Sequence, residues 1–411
     1  MVNFPWPPMN TFEADNPPSQ IARPMKNSQP GTARFFRLLH FQSTATFGGD
    51  ESNSLLLCRH LPEMRHRIAV YFGSGPMEKA WREAGAEVAL LHLSPTDRAG
   101  LIEGVRETVA AVRPDGVYLG CVSLLPLVLK GLDAYDGEVL CHTGNPDATS
   151  AAMRLKFWTA RAWLRPKARL TLVHCSEYVR KSYANNRFYK SYRHEVAISA
   201  GLMEAGNLRA HEPRKLARSD QVRVGMVARL DPIKNHRLVI EAFGLMVAKY
   251  PNVRLEFIGD GSEMGALKAR ALELGISERV IFHGRVPSPF PVMREWDLFL
   301  YGTTAAEGFG AALAEAMALG MPCVVTDIGP MREVGGEDGA VRYVSPASPV
   351  ELAAAAVALL DDLGERRRMS EAARKRAAMH FDGARFAHRI ASLLRAEAKA
   401  GGRRLADIAV T

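Results

Sequence analysis

The feature that most constrains this chain is an alternation that runs along it twice: short, nearly all-apolar segments separated by stretches of helical length. Strands that are apolar on both faces belong in parallel sheets covered on both sides, and parallel neighbours need a crossover, which a helix supplies. In the first series the expected strands are 35–41, 67–72, 87–93, 116–119, 138–142, 170–175 and 195–198, with helices fitting 52–61, 78–84, 98–112 and 149–164. In the second they are 222–227, 253–258, 280–282, 298–300, 323–326 and 341–344, with helices over 235–249, 264–274, 309–319 and 349–361. Two further helices, near 366–379 and 384–398, close the chain.

The fold class expected is therefore α/β, with two Rossmann-like, doubly wound parallel-sheet domains facing each other across a cleft. A length of 411 residues fits two hydrophobic cores better than one. Residues 1–33 hold seven prolines among polar residues and read as a disordered leader. The first domain is expected over 34–205 and the second over 221–380. Between them, 206–220 is charged, carries Pro213 and has no apolar period, so it reads as a linker. The last stretch, 381–411, is expected to pack back toward the first domain as a helix and then a tail. Open parallel sheets bind ligands at the carboxyl ends of their strands, which places the expected chemistry in the cleft.

Composition narrows the classes. No run of eighteen apolar residues occurs, and the opening residues lack the charged start, apolar core and small-residue cleavage site of a secretory signal. Five scattered cysteines, Cys58, Cys121, Cys141, Cys175 and Cys323, form no C-x-x-C pair and read as reduced thiols of a cytoplasmic protein. The net charge of +9 is concentrated: residues 154–220 hold fifteen Lys/Arg against five Asp/Glu. Such a patch is either a solvated face or an attractor of nucleotide phosphates or an anionic membrane surface. No nucleic-acid-binding motif accompanies it, so no nucleic-acid partner is expected. There is also no G-x-S-x-G nucleophile elbow, no H-E-x-x-H helix and no D-x-D cluster at a strand end, which disfavours a metal site.

Two segments carry the chemistry. In 305–326, AAEGFGAALAEAMALGMPCVVT, Glu307 precedes Gly308, Phe309 and Gly310, and a helix begins with small residues. Glycines there let backbone amides approach a ligand, and a helix N-terminus offers unpaired N–H groups to phosphate. Glu315 lies further along that helix, so the two carboxylates can address one elongated ligand and accept hydrogen bonds from sugar hydroxyls. In 224–234, VGMVARLDPIK, Arg229 and Lys234 flank a turn after a strand; two cations there suit a diphosphate. The run 258–265, IGDGSEMG, mimics a dinucleotide fingerprint, but its spacing is wrong by one, and it reads as a structural turn.

Together, VARLDPIKNHRLVIEAF, LEFIGDGSE, VIFHGRV, EGFGAALAEAMALGMPCVVTDIGPMREV and LLHFQSTATFGGDESNSL resemble the retaining glycosyltransferases of family 4, the glycosyl transferases group 1, whose fold is called GT-B. The resemblance implies a hexosyltransferase that takes a nucleotide-diphosphate sugar, UDP or GDP, and needs neither metal nor cofactor. Arg229 and Lys234 would neutralise the diphosphate, Glu315 would bind the ribose hydroxyls, and Glu307 with the amides of Gly308–Gly310 would hold the sugar and phosphate. Gly48 and Gly49 would form the loop facing donor and acceptor, His142 would be the cleft histidine, and Gly284 and Arg285 would lie beside the base. The acceptor would be a polysaccharide, a lipid-linked sugar or a small molecule, met in the cytoplasm or on the inner face of the membrane. The chain departs from the family at 199–202, SAGL, in place of a Pro-Asn-Gly-like turn, and at 302–306, GTTAA, which lacks the usual Pro-Ser start. Two other readings use the same architecture: a nucleotide-sugar epimerase or phosphorylase, and a non-catalytic regulator that keeps the pocket.

Overall fold

The computed structural model describes residues 35–400, apart from 47, 121, 148–167, 188 and 199–220. The leader, the helix expected over 149–164, the 199–202 turn and the linker lie outside the described residues.

The first domain runs β1 (Arg37–Gln42), α1 (Gly49–His60), β2 (Arg65–Val70), α2 (Met77–Glu83), β3 (Glu87–Leu90), α3 (Arg98–Val112), β4 (Gly116–Leu119), α4 (Leu125–Gly131), β5 (Glu138–Thr143), β6 (Arg169–His174), α5 (Glu177–Ala184) and β7 (Arg193–Val196). Its seven strands lie in the order β3-β2-β1-β4-β5-β6-β7, every neighbour parallel. The second domain comprises β8 (Arg223–Val227), α6 (His236–Met246), β9 (Arg254–Ile258), α7 (Met264–Glu273), β10 (Val280–Phe282), α8 (Phe290–Met293), β11 (Leu298–Tyr301), α9 (Ala311–Ala318), β12 (Cys323–Thr326), α10 (Gly329–Gly335), β13 (Arg342–Val344), α11 (Pro349–Asp361) and α12 (Leu363–His380). Its six strands are ordered β10-β9-β8-β11-β12-β13, again all parallel.

Both sheets reverse their winding once, between β1 and β4 and between β8 and β11. Such a reversal splays the flanking loops apart and opens a crevice at the strand ends. The central strands are buried throughout, as both-face cover requires: β4, β5, β11 and β12 expose no residue. The edge strands β3 and β7 are less covered, each with one exposed and three half-buried residues. The half-polar RHEV of β7 pairs with Thr171–His174, two residues before the apolar run that marked it in the sequence.

The last described helix, α13 (Gly383–Ala400), leaves the second domain and packs on α1 and β5 of the first. Phe386, Ile390 and Leu394 recur at helical spacing and are buried with Leu38, Leu57, Tyr118, Leu140 and Val173 on one face of the first sheet. Burying each large apolar side chain contributes about 1.5–3 kcal/mol.

Candidate functional site

In the second domain, the turn after β8 and the loop after β11 converge on one buried carboxylate. Glu307 is 5% exposed. Its Oε2 lies 2.5 Å from Lys234 Nζ and accepts hydrogen bonds from the Tyr301 hydroxyl (2.9 Å) and Thr303 Oγ1 (3.2 Å), while Oε1 accepts the Gly308 amide at 3.2 Å. Burial pushes this carboxyl up, but the Lys234 ammonium and the hydrogen bonds to the ionised form outweigh it and hold it below the usual range. The Tyr301 hydroxyl is driven well above its ordinary value by burial, then by the negative Glu307, with Glu315 acting in the same direction. Tyr301 is thus a fixed donor, and Glu315, half-buried on α9, lies within electrostatic reach of the same cluster.

The EGFG segment has little room. Gly310 precedes α9 at φ +84°, and a Cβ on Gly308 would run into the carbonyl oxygen of Gly144 in the other domain. Phe309 differs from its neighbours: its side chain is buried, edge-on to Phe381 at 5.5 Å, so only its backbone is available to a ligand. Arg229 is 65% exposed and pairs with Asp231 at 2.8 Å. Gly284 follows β10, and its carbonyl accepts the Gly259 amide at 2.9 Å; Arg285 beside it is exposed. Gly259, at φ +137°, lies so close to Ala228 that a Cβ would meet that carbonyl. The fingerprint-like glycines therefore bring the loops after β8, β9 and β10 together, as the turn reading expects.

Across the cleft, Gly48 in extended conformation and Gly49 start α1. The next residue, Asp50, joins this loop to β5: its Oδ1 lies 2.9 Å from Nδ1 of His142, which is 3% exposed. The His142 ring is also edge-on to Phe386 of α13, with centroids 6.2 Å apart. Glu51, 8% exposed, accepts a hydrogen bond from Thr44 Oγ1 at 2.8 Å. Its carboxyl is raised to about 7, first by burial and further by Asp50, against the pull of Thr44 and of Arg229 in the other domain.

A trio of possible metal ligands, His40, Cys58 and His66, lies behind this loop, with its donor atoms within 4.8 Å of one another. The hydrogen bonds argue against a metal there. The Leu61 carbonyl can only accept, so His66 Nε2 carries a proton (2.9 Å); His66 Nδ1 then accepts from His40 Nε2 (3.0 Å), and His40 Nδ1 from Ser54 Oγ (3.0 Å). Both ring lone pairs are committed. The hydrogen-bond chain continues through Gln42 Nε2, which donates to Ser54 Oγ at 2.7 Å and to the Asp50 carbonyl at 3.3 Å, so the two histidines brace the start of α1.

The two halves also touch. Ser176 Oγ donates to the Gly308 carbonyl (2.7 Å), and the Tyr178 hydroxyl to that of Ala305 (3.0 Å). The Glu333 carboxylate on α10 accepts the Glu177 and Tyr178 amides at 2.6 and 2.9 Å, so one domain caps the first turn of a helix in the other. The structure therefore gathers Lys234, Glu307, the Gly308–Gly310 backbone and Glu315 on one side and Gly48, Gly49 and His142 on the other. Gly284 and Arg285 lie at the neighbouring loop. Sequence reasoning missed Tyr301, Thr303, Asp50, Glu51, Ser176 and Glu333. A hydroxyl ending the apolar run LFLY, at a strand's carboxyl end, was the available signal for Tyr301.

The family model described as Glycosyl transferases group 1 matches residues 209–376, the stretch that holds the second sheet and most of α12. N-acetyl-alpha-D-glucosaminyl L-malate synthase of Bacillus anthracis is 33% identical over 145 residues, 35% of this chain and 37% of that protein. Phosphatidyl-myo-inositol mannosyltransferase of Mycobacterium tuberculosis is 31% identical over 128 residues, 31% of this chain and 33% of that protein. The chain thus matches little more than a third of these relatives' length. The crystal structure of Anabaena HepE in complex with UDP and glucose superposes with a TM-score of 0.71 at 19% identity, covering 88% of this chain and 99% of that one. Sucrose-phosphate synthase of Thermosynechococcus elongatus gives 0.66 at 16%, covering 89% and 100%. At such identities the likeness establishes the fold, and the fold is GT-B.

Proposed function

We propose that the protein is a retaining, metal-independent glycosyltransferase that moves a hexosyl group from a UDP- or GDP-sugar to a polysaccharide, glycolipid or small-molecule acceptor. The observation that carries this reading is the convergence of Lys234, Glu307, Tyr301 and Glu315 where β8 and β11 part. That is a prebuilt set of one ammonium, two carboxylates and a fixed hydroxyl donor beside a glycine-rich helix start.

In this reading, Arg229 and Lys234 take the negative charge that grows as the bond between the anomeric carbon and the diphosphate oxygen breaks. They supply the neutralisation a divalent ion gives elsewhere. Glu307 and the Gly308–Gly310 amides hold sugar and phosphate, Glu315 the ribose, and the loops at Gly284 and Arg285 the base. The acceptor oxygen bonds to the anomeric carbon on the face the diphosphate leaves, and its proton passes to the departing diphosphate. Gly48, Gly49 and His142 shape the opposite wall, so that most of the catalysis is positioning. The names of the sequence relatives, a synthase and a mannosyltransferase, support transfer to small-molecule and lipid acceptors. Among the described residues no helix is long and apolar enough to cross a membrane, and the basic stretch 154–220 favours a protein that meets an anionic membrane from the cytoplasmic side.

Product analysis tests this reading. Incubation with UDP-glucose or GDP-mannose and extracted acceptors, with excess chelator present, is expected to give an α-linked glycoside by NMR. An epimerised nucleotide sugar formed without acceptor would contradict it, as would activity abolished by the chelator.

A further inference from the structure

We propose that Glu51 receives the hydroxyl group of the acceptor that is to be glycosylated, an assignment that rests on the transferase reading above. Glu51 sits in the first turn of α1, at the carboxyl end of β1 where the first sheet reverses. Its side chain is nearly buried, which is costly for a carboxylate that lacks its full set of hydrogen-bonding partners. One oxygen, Oε1, is held by Thr44 Oγ1, itself 3.0 Å from Thr46 Oγ1. The carboxyl also bonds its own backbone amide, and among the described residues no side chain donates to Oε2. The Glu51 backbone carbonyl accepts Trp81 Nε1 at 3.2 Å, which fixes the main chain, and a Cβ on Gly48 would run into Oε2, so the glycine keeps that oxygen's place clear.

The position fits a group that meets the acceptor. The preceding residue, Asp50, contacts His142 and lies 3.7 Å from where a Gly144 Cβ would be, and the Gly144 carbonyl abuts Gly308 of the donor loop. The start of α1 is thus one residue's breadth from the loop that would hold the sugar. The charged groups that face Glu51 are Asp50 on its own helix and Arg229 from the second domain. Arg229 is the residue a diphosphate would engage, so donor binding and the state of Glu51 are electrostatically linked. A carboxyl poised at about 7 accepts a hydroxyl hydrogen bond most strongly when ionised, and the bond weakens as pH falls through 7.

The test uses the full chain, with UDP affinity by calorimetry, glucose transfer from UDP-glucose to p-nitrophenyl glycosides, and saturation-transfer NMR of the same glycosides without donor. Glu51→Gln is expected to keep UDP affinity within about twofold, to lower kcat/KM for the glycoside at least about fiftyfold, and to weaken its saturation-transfer signal. The acid limb near pH 7 in the wild-type rate profile should vanish in this variant and return in Glu51→Asp. Unchanged acceptor kcat/KM with the limb retained would overturn the assignment, as would a loss of UDP affinity equal to the loss of transfer. A wild-type chain that bound no UDP would contradict the donor reading alone, and the glycoside signal would still decide for or against Glu51.

Discussion

Lys234 and Glu307 cannot be changed independently, because each neutralises the other out of water. Their 2.5 Å contact makes Lys234 a structural residue as well as the expected diphosphate ligand. Lys234→Met leaves a buried, unpaired carboxylate and is expected to cost about 3–5 kcal/mol of stability. Adding Glu307→Gln should recover most of that while turnover stays at least about a hundredfold down, since a charge needed in the transition state is still missing. Thermal melts and initial rates on the two single variants and the double variant separate these effects. A lysine variant that kept its stability would show that the pair contributes nothing to the fold. The sign of the pH effect follows from the same pair. With Glu307 held below its ordinary value, its contribution is present above the unfolded carboxyl's pKa and lost as pH falls through the folded one. Acid melts of Glu307→Gln should therefore show less pH dependence than the wild type. Glu307, Glu315 and Lys234 were legible because glycines and helix starts surround them. Tyr301 and Thr303 were not, because residues closing an apolar strand look like core until a partner from another loop is seen.

At the level of elements, the alternation of apolar runs placed nearly every strand, because strands buried on both faces leave no other pattern. It set β2 and β7 two residues late, and at β7 the half-polar RHEV of an edge strand hid the start. It was also silent on α5, whose role depends on a contact 155 residues away along the chain. Helix α13 shows how a terminal element reaches the site: Phe386 closes the core beneath His142. Phe386→Ala is expected to cost about 3–5 kcal/mol and to disturb the imidazole, visible as a changed His142 NMR shift. A shift unchanged in a folded variant would separate α13 from the site. Gly308→Ala sets a methyl group against the Gly144 carbonyl. It should lower transfer sharply while the melting temperature moves little, since the clash lies between domains and not within a core.

At the level of the whole molecule, two sheets present their reversal points to each other, and the domains meet through hydrogen bonds as well as apolar contact, the Tyr178 ring lying against Gly329. Ser176 on Gly308, Tyr178 on Ala305 and Glu333 on the α5 amides are hydrogen bonds between them, each worth about 1–3 kcal/mol with a charged partner at the upper end. Combining Ser176→Ala with Glu333→Gln is expected to loosen the pairing of the domains, read as a larger radius of gyration in small-angle scattering that UDP only partly reverses. An unchanged radius would mean that these two contacts do not set the arrangement. The basic stretch 154–220 makes a separate prediction at this scale. Co-sedimentation should be stronger with vesicles containing anionic lipid than with neutral ones, and equal binding to both would remove the membrane from the account.

The central claim is that the second domain binds a nucleoside diphosphate through the cluster at β8 and β11. Calorimetric titration of UDP, GDP, ADP and dTDP, each alone and as a sugar conjugate, into the wild type and Glu315→Ala tests it most directly. The account predicts selective binding of one nucleotide, weakened at least about tenfold in the variant through lost ribose hydrogen bonds. Binding of none of them, or equal affinity in both proteins, would contradict it.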